Sequence, residues 1–199
     1  MVKTKPVNKR SYKAQISTSA IVLAAGIGSR MKSKKPKVMH EIAGRPMINH
    51  VLDSLEKSGV KRKLIVVAKD MADVIETVKP HKTCIQSKQL GTGDAVKSAL
   101  KHLPKNSQNI LIMFGADPLI KPQTIKKLIA RQSKPDDPAV VVLGFRPKNP
   151  GNYGRLVTNK DGSLIEIVEA KDASLSQKKI PLCNSGIMII NGQLVYKLI

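Results

Sequence analysis

The chain is short of aromatic side chains, cysteines and carboxylates, and each shortage narrows what it is. Aromatics make up 3% of 199 residues and tryptophan is missing, so platforms for stacking bases are scarce. Cys84 and Cys183 are too few for a disulfide framework; they suit a reducing cytoplasm and read as buried or half-buried thiols. No apolar run reaches membrane-spanning length, the longest (110–114 and 139–144) being strand-sized. The basic N-terminus lacks the apolar segment and cleavage site of a secretory signal. A soluble, cytoplasmic protein without membrane association is expected.

The scarcity of acid is the strongest bias. Fourteen Asp/Glu stand against 35 Lys/Arg, a formal charge of +21, which favours non-specific attraction to nucleic acid or anionic surfaces. The first forty residues hold ten cations and no carboxylate, so about half of the excess sits there. Nucleic-acid binding through a basic arm is therefore kept open as a separate class of function. Against it, no zinc-finger spacing is present and the four histidines do not cluster in sequence. What is present is ample apolar material, 41% of a chain of one-domain length, enough for a proper core.

Residues 1–18 mix Lys, Arg, Ser, Asn and Pro without apolar periodicity and read as a flexible basic arm. Residues 19–25 form an apolar first strand of the kind buried on both faces of a sheet. Strands are expected again over 63–68, 83–86, 109–114, 139–145 and 185–190. Helices are expected from Pro46 at the first helical position to Gly59, and over 71–78, from a Thr92 cap, and over 123–132. Segments 155–158 and 164–169, joined by N-K-D-G, read as an antiparallel pair. The alternation predicts a three-layer, doubly wound, mainly parallel α/β sheet of Rossmann-like type over residues 19–199. Ligands of such sheets bind beyond the carboxyl ends of the strands.

Three constellations fall at those ends. Leu23-Ala24-Ala25-Gly26-Ile27-Gly28 turns sharply after an apolar strand and is followed by Arg30, Lys32, Lys34, Lys35 and Lys37, a setting for a polyanion. It is neither G-x-G-x-x-G nor a P-loop. Gln86 to Gly93 (Q-S-K-Q-L-G-T-G) offers an amide for a base edge, a glycine for close backbone approach and Thr92 at a helix start; it also fits an ordinary capped turn. Gly115-Ala116-Asp117-Pro118 sets a carboxylate past a buried strand, either to hold Mg²⁺ or to close a turn. Glu169 and Asn184 add groups able to bond sugar hydroxyls, and Cys183 reads as a packing residue.

Taken together, L-A-A-G-x-G-S-R-M (23–31), P-K-V-M-H (36–40), G-R-P-M-x-x-H-V (44–51), Q-L-G-T-G (89–93), G-A-D-P-L-I (115–120), N-Y-G-R (152–155), I-V-E-A-K-D (167–172) and C-N-S-G (183–186) resemble one family. It is the nucleotide-diphospho-sugar transferase fold, in the uridylyltransferase domain of the bacterial bifunctional UDP-N-acetylglucosamine pyrophosphorylase/glucosamine-1-phosphate acetyltransferase. The resemblance implies UTP and N-acetylglucosamine 1-phosphate as substrates and Mg²⁺ as cofactor. It implies that Leu23, Ala24, Ala25 and Gly26 hold the nucleotide, with Gln86, Gly91 and Thr92 seating its uridine. Arg30 and Lys37 would be the catalytic cations, Gly154, Glu169 and Asn184 the sugar contacts, and Asp117 the metal ligand.

Four positions depart from that pattern. Ser29 replaces a threonine and Phe114 a common tyrosine. The family reads G-D-x-P where this chain has Gly115-Ala116-Asp117-Pro118, so Ala116 is expected at the ligand position with Asp117 directed elsewhere. The chain ends at Ile199, ahead of the family's later metal-binding asparagine and its acetyltransferase β-helix, so the domain is expected to be incomplete at its C-terminus. Its last strand is expected to lack downstream partners and cover. A second reading is thus an impaired remnant or split-enzyme fragment that binds nucleotide or a partner, including a second polypeptide completing the domain.

Overall fold

A computed structural model of the chain describes residues 17–28 and 31–199. Most of the predicted arm, Ser29 and Arg30 lie outside the described residues. The elements run as β1 (Thr18–Leu23), a 3₁₀ turn (Lys37–Met39), the two-residue strands β2 (Glu41–Ile42) and β3 (Arg45–Pro46), α1 (Met47–Ser58) and β4 (Arg62–Val67). There follow α2 (Ala72–Thr77), β5 (Lys82–Ile85), α3 (Thr92–Leu100), β6 (Asn109–Phe114), α4 (Pro122–Gln132) and β7 (Val140–Phe145). The chain closes with β8 (Arg155–Thr158), β9 (Leu164–Val168), α5 (Leu175–Lys178), β10 (Cys183–Asn191) and α6 (Val195–Leu198).

The main sheet has the order β5-β4-β1-β6-β10-β8-β9, with β7 also paired to β10. Its β5-β4-β1-β6 half is parallel. From β10 onward all pairings are antiparallel, so the sheet is mixed. Alternating side chains supply two cores, as the pleat requires. Ala20, Val22, Ile65, Val67, Leu111 and Met113 face α1, α2 and α4 through Ile48, Val51, Val74, Ile125 and their neighbours. Ile21, Leu64, Val66, Ile110 and Ile112 face α3 through Ala95, Val96 and Ala99, and α6 through Val195. This is the expected three-layer, Rossmann-like arrangement. Among the described residues no helix is long and apolar enough to cross a membrane.

Several local expectations are corrected. Ser17 and Thr18 belong to the sheet rather than to an arm: the Ser17 N–H donates to Gln108 Oε1 at 2.9 Å, and Thr18 pairs with Asn109. β1 stops at Leu23: Ala24 keeps one further bond, from its N–H to the Val66 carbonyl, and Ala25 lines the cleft. Pro46 takes the N-cap place of α1 with ψ 138°, since it is also paired with Glu41 in the small β2–β3 ribbon. Thr92 does not cap α3; Gly91 is the N-cap residue and Thr92 the first helical one. β10 is not bare: it lies between β6 and β7, and buries Ile187, Ile189 and Ile190. Exposed apolar side chains are scattered instead, among them Leu90 and Leu119 in loops, Leu175 in the one-turn α5, Leu164 and Ile165 on the edge strand and Leu198 near the chain end.

Both cysteines are buried and unpaired, and burial pushes the Cys84 thiol up. At the amino ends of the parallel strands, half-exposed Glu56 accepts bonds from exposed Lys61 and buried Lys63. Those two bonds, Lys61's first, hold its carboxyl down from the ordinary 4.5 to about 2. A depressed carboxyl stabilises the fold fully above its unfolded value and loses that contribution as pH falls through the folded one. Wild type should therefore lose urea resistance as pH drops from 4.5 to about 2, and Glu56→Gln should lose less across that window. Parallel losses in the two proteins would show that the pair contributes nothing, the outcome for an ion pair fully screened by water.

Candidate active site

The carboxyl ends of β1, β5 and β6 open into one cleft of about 540 Å³. Leu23, Ala25 and Gly26 form its floor beyond β1; Gln86, Gly91 and Thr92 form a wall between β5 and α3. Lys37 and Asp117 complete it beyond β1 and β6. Eight of the residues singled out in the sequence thus line a single cavity. Ala24 does not: it is buried beneath the cleft and donates its N–H to the Val66 carbonyl at 2.8 Å, continuing the sheet contact for one residue. Arg30 lies outside the described residues.

Lys37 is placed by a close backbone contact. Gly28 has φ +77°, and a Cβ built there would lie 2.8 Å from Lys37 Cβ, so only glycine leaves room for this lysine. Asp117 follows a tight turn in which its N–H donates to the Phe114 carbonyl at 3.3 Å. Burial pushes its carboxyl up and the nearby Lys37 ammonium pulls it back. Asp117 and Ala116 both line the cleft. Two loops of the cleft are tied together by Gln89, whose Nε2 donates to the Ala25 carbonyl at 2.9 Å.

Gly154, Glu169 and Asn184 are brought together next door, at the junction of β8, β9 and β10. The Asn184 N–H donates to the Gly154 carbonyl at 2.8 Å, and a Cβ on Gly154 would lie 3.4 Å from Glu169 Oε1. Glu169 borders a recess of about 750 Å³ with Asn152, Lys171 and Lys178. Buried Arg155 directs its guanidinium to the backbone carbonyls of Tyr153, Gly151 and Lys178, so it shapes this loop rather than meeting a ligand. Tyr153 leaves that loop to line the cleft beyond β1 and β6, its ring edge-on to Phe145 at 4.8 Å. Sequence reading quoted the N-Y-G-R and Q-L-G-T-G segments but passed over Tyr153 and Gln89 inside them.

Another recess, about 340 Å³, opens at the opposite ends of the strands among Lys61, Arg62, Lys82, His81 and His102. It is the more basic of the two, yet it lies at the amino ends, away from the turns that present backbone N–H groups. The model of the MobA-like NTP transferase domain matches residues 20–170, a span that contains every residue lining the 540 Å³ cleft and all but Ser19 of those lining this basic recess.

The chain belongs to this NTP transferase family. As an NTP transferase domain it is 48% identical over 186 residues to the bifunctional protein GlmU of Paramagnetospirillum magneticum, covering 94% of this chain and 41% of that one. GlmU of Rhodospirillum rubrum is 44% identical over 92% of this chain and 41% of its own length. The match is to the N-terminal NTP-transferase domain of such proteins, and the chain spans about 41% of these relatives' length. Among solved structures, HddC of Yersinia pseudotuberculosis complexed with GMP-PN superposes with a TM-score of 0.70 at 25% identity. That superposition covers 90% of this chain and 78% of HddC.

Membership of the NTP transferase family raises the question of a divalent metal, and Asp117 is the carboxylate that bears on it. Among the described residues no group of three or more His, Cys, Asp or Glu side chains is gathered. A single carboxylate beside a lysine in a cleft of this volume suits Mg²⁺, which keeps several waters and shares its coordination between one or two carboxylates and substrate phosphates.

Proposed function

We propose that this chain transfers a uridylyl group from UTP to N-acetylglucosamine 1-phosphate, giving UDP-N-acetylglucosamine and pyrophosphate. The observation that carries the reading is the assembly of Gly26, Lys37, Gln86, Gly91, Thr92 and Asp117 around one cleft at the carboxyl ends. The adjoining Gly154, Glu169 and Asn184 give the sugar a place beside it, and the similarity to GlmU over nearly the whole chain supports the substrate pair. The proposal concerns nucleotidyl transfer in the cytoplasm and extends to no acetyl transfer.

In this reading Gln86 and the Gly91–Thr92 backbone seat uridine, while the turn at 23–26 approaches the ribose and phosphates. Arg30 and Lys37 neutralise the triphosphate. A phosphate oxygen of the sugar 1-phosphate attacks the α-phosphorus; its bond to phosphorus forms as the bond to the bridging oxygen of pyrophosphate breaks, and pyrophosphate leaves with the electron pair. No protein nucleophile is needed, so positioning and charge neutralisation supply the rate. Asp117 would hold Mg²⁺ together with the nucleotide's phosphates, where the ion supplies further neutralisation of their charge.

The deciding experiment is release of pyrophosphate from UTP and N-acetylglucosamine 1-phosphate, with and without Mg²⁺. Turnover that depends on both substrates and on the metal is expected; no release overturns the assignment. One observation favours a second reading: Ala116 puts a methyl group on the cleft where the resemblance implies a carboxylate. A binding remnant would show UTP-dependent thermal stabilisation, or capture of a partner chain, with no pyrophosphate.

A further inference from the structure

Gln86 is buried at the cleft wall, and its partners decide which end of its amide faces the ligand. Its Nε2 lies 2.8 Å from Asp94 Oδ2 and 3.1 Å from the Gly91 carbonyl oxygen. A carboxylate and a carbonyl only accept, so the NH₂ end must face them, and both of its hydrogens are used. Among the described residues no donor reaches Oε1. Asp94 itself is held by its place in the first turn of α3, where its carbonyl also accepts from Ser98 Oγ at 3.0 Å.

Resting on the uridylyltransferase reading, we propose that Asp94 is a specificity-determining positioning residue: it fixes Gln86 so that the amide offers the nucleobase an acceptor and no donor. Uracil meets that acceptor with its N3–H. Cytosine presents a bare N3, so two acceptors face each other and neither is satisfied. A site built to bond one such group rejects the analogue that lacks it, because its own buried group is left unpaired. Without Asp94 only the Gly91 carbonyl holds the NH₂ end, so the amide is less firmly set and discriminates less between the two bases.

The test measures Kd for UTP and for CTP, by calorimetry on the full chain, in wild type, Asp94→Ala and Asp94→Asn. Wild type is expected to prefer UTP by about 10²-fold, the range of one unpaired buried polar group. In Asp94→Ala the ratio should fall below about tenfold, through weaker UTP and stronger CTP binding. Asp94→Asn keeps shape and helix position, but two amides bond in either sense, so its ratio should fall as well. This variant carries the test if the alanine protein does not fold. A purely structural Asp94, stabilising the helix start, would weaken both nucleotides alike and keep the ratio; that result overturns the inference and leaves the uridylyltransferase reading standing. Equal affinity of wild type for the two nucleotides overturns the inference too. Absence of UTP binding in wild type overturns both.

Discussion

Lys37→Ala is expected to lower kcat/KM for pyrophosphate release by about 10²–10³-fold, the usual loss when one preorganised charge or donor is removed from a transition state. Lys37 lines the cleft, and its ammonium is felt by the Asp117 carboxyl against the pull of burial. Its position is fixed by the bare Cα of Gly28, so little reorganisation is needed when charge develops on the phosphates. Lys37→Arg should recover only part of the loss, because a planar fork replaces a compact point charge on a different stem length. A fall of less than about tenfold in the alanine variant would remove Lys37 from the chemistry and leave it an electrostatic neighbour of Asp117.

The largest expected effect on stability comes from Gly192→Ala. A Cβ there would lie 1.9 Å from the Ser107 carbonyl oxygen, 2.9 Å from its carbon and 3.0 Å from the Gln108 oxygen. The obstacle is backbone, so no rotamer change relieves it. That backbone is itself tied down: the Gly192 N–H donates to the Gln108 carbonyl at 2.7 Å, and buried Ser19 and Ser107 share a bond of 2.7 Å between their hydroxyls. Overpacking of this kind costs about 3 kcal/mol or more. For a domain of this size that corresponds to a Tm lower by roughly 6–12 °C. Gly144→Ala is the control: its Cβ would meet the flexible ends of Leu156 and Leu182, both at 2.9 Å, and should cost about 1 kcal/mol. Equal melting of the Gly192 variant and wild type would mean that the 107–108 turn moves aside freely.

The layer structure was legible because the apolar runs of the first two thirds alternate with helical periodicity, and burial on both faces leaves strands unmistakable. Strand ends were less so. Ala24 and Ala25 extend an apolar run, yet only hydrogen bonding decides where the ladder stops, and composition does not encode it. Pro46 suits both an N-cap and a first helical position, since its fixed φ serves either. The capping box Ser174–Gln177 that starts α5 was readable as S-x-x-Q and was passed over, its helix being only one turn long. The pairing of β7 and β8 with β10 left no mark in the sequence, because strand partnership is tertiary.

The candidate site divides in the same way. Turns at strand ends could be found one by one, since glycine and a change of polarity announce them. That Gln86, Lys37 and Asp117 share a cavity follows only from the order of the strands. The contact of Asp94 with Gln86 spans eight residues and a turn, with no periodicity to suggest it. The one-residue displacement predicts Ala116 at the ligand position with Asp117 directed elsewhere; the turn after Phe114 leaves both residues on the lining of the cleft.

Strand β10 also decides how this molecule moves. It is bonded to β6 on one side and to β7 and β8 on the other, so the wall of the cleft at β6 and the wall at the β8–β10 junction belong to one continuous sheet. Swinging one wall against the other would break that ladder, and no hinge lies between them. The segments outside the ladder are those beyond the strand ends, around 25–28, 87–91 and 151–154. Two of these are joined by the bond from Gln89 to Ala25, so displacing either loop must break that bond or carry the other with it.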